Sequence, residues 1–127
     1  MQDSRLFEYA VIRLVPRVER EEFLNVGVIL YARKTGFLAV KFHLDKEKLK
    51  AIFPELPIDD IEEHLHSFER ICKGLPGSGP IGALDPASRF RWLTATRSTV
   101  VQTSKVHPGF CEEPAAAIEK LFRQLVL

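Results

Sequence analysis

Two apolar runs near the start of the chain constrain its fold most. In Phe7 to Val15, Phe7, Tyr9, Val11 and Val15 share one alternating face, while Ala10, Ile12 and Leu14 share the other. A strand that is apolar on both sides needs cover on both sides, so this run predicts a central strand. Pro16 ends it, because proline has no N–H to give to a ladder. Phe23 to Arg33 is also apolar on both faces, with Asn25 and Gly27 interrupting one of them. A glycine inside a strand marks a bulge or a close backbone approach. Lys34-Thr35-Gly36 predicts a tight hairpin link. Phe37 to Leu44 then alternates, with Leu38, Val40 and Phe42 inward and Lys41 and His43 outward. Three strands joined by such short links make an antiparallel meander.

The middle of the chain changes period. Asp45 predicts the cap of a helix reaching Phe53, which Pro54 and Pro57 close off. Ile58, Ile61, Leu65, Phe68 and Cys72 fall at helical spacing, with Asp59 or Asp60 as cap and Gly74 as stop. Residues 74–85 are rich in glycine and proline and predict a long loop. Asp85-Pro86 reads as the cap and first residue of a single helical turn. Arg91 to Thr96 and Thr99 to Lys105 read as two further strands, followed by a turn at His107-Pro108-Gly109. Pro114 opens a last helix to about Val126. Strands first and helices later predict an α+β fold. The expected architecture is a single antiparallel sheet of about five strands, with the helices packed on one face. At 127 residues, the chain is expected to form a single domain over 1–127.

Composition narrows the function classes. Eighteen basic and seventeen acidic residues leave a net charge of +1, which disfavours a non-specific nucleic-acid binder. Charge is nevertheless segregated. Residues 51–73 carry six acidic and two basic side chains, whereas residues 1–50 and 74–111 each carry a net +3. The longest apolar run, Val26 to Ala32, is too short to cross a membrane, and the first residues show no signal peptide. Two cysteines, Cys72 and Cys111, are too few for a disulfide scaffold and are expected to be reduced. A cytoplasmic location is the resulting expectation.

No strong catalytic or metal motif stands out. His107 and Cys111 could supply an imidazole and a thiolate, but no third orienting group accompanies them. His64 and His66 are two apart on a helix and diverge, and no pair has zinc-finger spacing. The glycines at 74, 77, 79 and 82 are not followed by Gly-Lys-Ser/Thr, so they form no phosphate loop. Neither a catalytic residue, a metal nor a cofactor is therefore expected. The polar stretch Arg97 to His107 is different. Arginine beside two hydroxyls suits an anion, because its fork bonds two oxygens at once. Arg97, Ser98, Thr99, Gln102 and His107, joined by Arg13 or Arg17, are the expected ligand-binding residues.

Two segments carry a family resemblance. The run Tyr9 to Tyr31, YAVIRLVPRVEREEFLNVGVILY, and the run Arg97 to His107, RSTVVQTSKVH with Gly109 and Cys111 after it, resemble the two signatures of a bacterial family catalogued as domain of unknown function 3037. The first signature falls on Arg13, Arg17, Glu19, Arg20, Glu22, Asn25 and Gly27. The resemblance implies no activity. Because members are often encoded beside a HipA-like kinase, it implies such a kinase as a partner. The expected function is a non-enzymatic binding or regulatory domain. The alternative is a small enzyme or binder acting on a phosphorylated or nucleotide-like ligand, with Arg97, Ser98, Thr99 and His107 at its site.

Overall fold

A computed structural model describes residues 5–16, 20, 22–95 and 100–127. The described residues form one five-stranded antiparallel sheet and four helices, an α+β fold. Strand β1 (Arg5–Leu14) pairs with β2 (Leu24–Ala32), which pairs with β3 (Phe37–Phe42). The predicted meander is therefore present, with β1 central, because both of its long edges are occupied. On its other edge β1 carries two short strands in succession, β4 (Val101–Thr103) and β5 (His107–Cys111).

Helix α1 (Lys46–Ile52) is capped by Asp45, whose carboxylate accepts from the Lys48 amide at 3.1 Å. Helix α2 (Ile58–Lys73) has Pro57 at its N-cap position, two residues ahead of Asp59, the nearer of the predicted acidic caps, and ends at Gly74 with φ 65°. A 3₁₀ turn, Ile81–Ala83, interrupts the predicted loop. Helix α3 (Pro86–Leu93) occupies part of the stretch expected to be a strand from Arg91 to Thr96. The Asp85 carboxylate accepts from the Ser88 amide at 3.2 Å, Pro86 supplies the first helical φ, and Phe90 and Leu93 bury one side. Local capping overrides the short alternation at Arg91–Thr94. Helix α4 (Pro114–Leu125) follows β5.

The predicted turn at His107–Gly109 is instead the start of β5. Pro108 is tolerated because β5 is an outer strand. A Cβ on Gly109 would sit 2.5 Å from Cζ of Phe7, so the missing side chain is what lets that ring lie over β5.

The sequence expectation that the helices share one face is corrected by the structure. Ala10, Ile12, Leu14, Ile29 and Tyr31 pack with α1, α2 and α3 in one core. Phe7, Val28, Leu30 and Ala32 pack with Ile118 of α4 in a second core on the opposite face. The two-sided apolarity of β1 and β2 is the sequence signal for this division, and α4 is the helix that answers it.

Candidate binding surface

β1 and β2 do not keep a constant register. Ile12 opposes Gly27 but Arg13 opposes Asn25, so Val26 is the extra residue of a bulge. A Cβ on Gly27 would lie 2.6 Å from the Lys41 carbonyl oxygen and 2.9 Å from Cβ of Phe42, a space only glycine leaves open. The β1 partners on the other edge also slip by one. Ile12 opposes Thr103, yet Tyr9 opposes His107. The slip occurs at Ser104, which is buried. The Val11 amide donates to Ser104 Oγ at 2.9 Å, while the Ser104 amide donates to the Val11 carbonyl at 2.8 Å. The hydroxyl thus replaces a backbone acceptor that the bulge moves away. Thr103 Oγ1 donates to the Thr94 carbonyl at 3.2 Å. These two hydroxyls of the polar stretch are consumed by the fold.

Beyond the bulges, residues of the two signature segments meet. Arg13 opposes Asn25 on one side and Gln102 on the other, so the three form one row across the sheet. The pairing continues past the strand ends, where the Val15 amide donates to the Val100 carbonyl at 2.6 Å. Arg13 is half-buried, and its guanidinium carbon lies 4.1 Å from the centre of the Phe23 ring. Phe23 is 47% exposed, so the pair forms a flat cationic shelf at the surface. Among the described residues no carboxylate lies within ion-pair distance of Arg13. Its Nε is buried and without a hydrogen-bond partner. Asn25 Nδ2 donates to the Leu125 carbonyl at 3.0 Å, which ties the last turn of α4 to the sheet. Asn25 Oδ1 is buried without a partner. Among the described residues, a buried donor and a buried acceptor on neighbouring strands therefore both lack a partner, where native proteins satisfy nearly all such groups.

His107 does not join this row. It faces Tyr9, with ring centres 5.4 Å apart, and Tyr9 is four residues from Arg13 along β1, about 13 Å. Arg17, Arg97, Ser98 and Thr99 lie outside the described residues. Of the expected ligand residues, the structure thus brings Arg13 and Gln102 together and sets His107 apart.

Two adjoining clefts flank the same end of the sheet. Pro16, Arg20, Glu22, Ile52 and Phe53 line one of about 250 Å³. Pro16, Ile52 and Phe53 also line the other, of about 400 Å³, with Leu56, Pro57 and Val100. Arg20 and Glu22 form an ion pair at the rim. The sequence marks Ile52, Phe53 and Phe23 only as packing residues.

The other chemical candidates separate. His107 and Cys111 are four residues apart along β5, about 13 Å, with the Phe7 ring over the glycine between them. Neither cysteine is in a disulfide. Cys72 is buried in the α2 side of the core, and burial pushes its thiol up to about 12, the reverse of what a nucleophile needs. Among the described residues no group of three or more His, Cys, Asp or Glu side chains is placed to hold a metal ion. No described helix is long and apolar enough to cross a membrane.

The sequence profile of one family, described as protein of unknown function (DUF3037), matches residues 9–126. The chain belongs to this family. The match spans both signature segments, so the Arg13 row is built entirely from family sequence. No match was found among the curated proteins or the solved structures.

Proposed function

We propose that the protein is a non-enzymatic binding module, and that its docking surface is the sheet end built around Arg13, Phe23 and Gln102. The observation that carries this reading is the Arg13 guanidinium. It is half-buried, stacked on an exposed ring and without a carboxylate among the described residues. Burying its Nε without a hydrogen-bond acceptor is unfavourable, and a bound partner would supply one. The adjoining clefts add apolar surface that an anchor side chain would fill. The family resemblance supplies the partner class, a HipA-like kinase, for which the module would act as a regulator in the cytoplasm.

Co-purification from the native cells tests this, with wild type and Arg13→Ala compared side by side. The expected result is a protein retained by wild type and lost by the variant, with identical circular dichroism for the two. Equal retention would remove this surface from the interaction. The same guanidinium, without a carboxylate among the described residues, also favours a second reading, a phosphorylated or nucleotide-like small ligand. Calorimetric titration with inorganic phosphate and with nucleotides separates the two. Saturable heat with wild type that disappears in Arg13→Ala supports the small ligand.

A further inference from the structure

The two edges of the sheet are built differently. The edge formed by β4 and β5 is interrupted at Ser104–Val106 and carries Pro108, both of which blunt strand pairing. The opposite edge, β3, has neither device. It is a continuous six-residue strand, Phe37-Leu38-Ala39-Val40-Lys41-Phe42. Its register to β2 is uniform from Phe37 to Phe42, without a bulge.

The orientation of the β3 amides follows from one bond. The His43 amide donates to the Val26 carbonyl at 2.8 Å, so His43 points its backbone toward β2. Alternation along an antiparallel ladder then turns Lys41, Ala39 and Phe37 toward β2, and turns the N–H and C=O of Phe42, Val40 and Leu38 outward. Among the described residues no strand or side chain takes these outward groups. The only charge on the strand is already neutralised within the chain. Lys41 Nζ donates to both carboxylate oxygens of Glu119, at 2.7 and 2.8 Å.

We propose that β3 is a homodimerisation edge, on which a second copy of this chain pairs its own β3 antiparallel about Val40 to form one continuous sheet. The register is forced. Only a pairing centred on Val40 engages all three outward residues at once, with Val40 against Val40 and Leu38 against Phe42. That gives about six main-chain hydrogen bonds. The arrangement is a two-fold, self-complementary interface. It sets Leu38, Val40 and Phe42 of both copies side by side on the α2 side of the sheet. Lys41 falls opposite Ala39, so no like charges face each other.

Sedimentation equilibrium and residue-resolved amide exchange test the proposal. Wild type should sediment at twice the 14.5 kDa chain mass, and Val40→Pro at the chain mass. Proline at this position removes an outward N–H that the chain itself does not use, so the variant should keep its circular dichroism. In wild type the amides of Leu38, Val40 and Phe42 should exchange more slowly as concentration rises through the dimerisation midpoint. If Val40→Pro does not fold, the exchange result decides alone. A wild type that stays monomeric at millimolar concentration overturns the proposal. A dimer whose Leu38, Val40 and Phe42 amides exchange as fast as those of a free edge also overturns it.

Discussion

The two faces of the sheet are covered unequally. On one, helices α1, α2 and α3 close over Ile12, Leu14 and Ile29, and the core takes in Leu65, Cys72 and Leu93, all of them essentially inaccessible. On the other, among the described residues, only α4 packs over β2 and β3, and it ends at Leu125, where the Asn25–Arg13–Gln102 row begins. The first face spends its side chains on burial. The second runs out of helix and leaves a cation and an aromatic ring at its margin. Polar chemistry that packing does not consume collects where the cover stops, and such margins are where binding residues are affordable.

The largest contrast between the faces is chemical, because each holds one cysteine. Alkylation of the folded protein near pH 8 should label half-buried Cys111 and spare Cys72. With its thiol raised from 9.0 to about 12, Cys72 should react about a thousandfold more slowly than in the urea-unfolded chain. Equal labelling would mean that the helical face opens readily. The same shift has a pH consequence. The folded state holds the thiol protonated, so the contribution to stability is complete below the unfolded value of 9.0 and is lost as pH rises toward 12. Urea midpoints should fall over that window in wild type and fall less in Cys72→Ala.

Truncation sharpens the comparison next. Leu65→Ala on the helical face should cost about 2–5 kcal/mol, because the side chain is fully buried. Leu121→Ala on the α4 side, where the residue is half-buried, should cost about 1 kcal/mol. Denaturant unfolding measures both, and equal losses would erase the asymmetry.

A smaller effect is expected at the strand slip. Ser104→Ala leaves the buried Val11 amide without its acceptor and should cost about 1–3 kcal/mol. A loss near zero would show that water or a backbone shift replaces the hydroxyl. The smallest stability effect belongs to the margin itself. Arg13→Ala should change unfolding free energy by no more than about 0.5 kcal/mol, since among the described residues its guanidinium makes no hydrogen bond to be lost. A large loss would make the row structural and withdraw it from binding.

Much of this arrangement is legible from local pattern. The meander follows from strand alternation and short links, and α1 and α2 follow from caps and helical spacing. Such features depend on neighbours in sequence. The stretch from Asp85 to Cys111 is less legible. At Arg91–Thr94 alternation and helical burial compete, and the contact of Phe90 with the Tyr31 ring, 5.5 Å away, favours the helix. At His107–Gly109 the usual turn residues form a strand, because Pro108 lies on an outer edge and Gly109 lies beneath Phe7.

The sequence by itself determined the α+β class, the order of the first three strands, the family and the two segments from which the Arg13 row is drawn. Periodicity and motif are properties of the linear chain, so they survive without coordinates. Only the tertiary structure decided that α4 crosses to the far face, that Arg13 meets Gln102 while His107 does not, and that Ser104 serves the backbone. Each of these depends on a register between strands far apart in sequence. A slip of one residue turns every following side chain to the opposite face, and of the two slips along β1 only the one at Val26, beside Gly27, carries a local signal in the sequence.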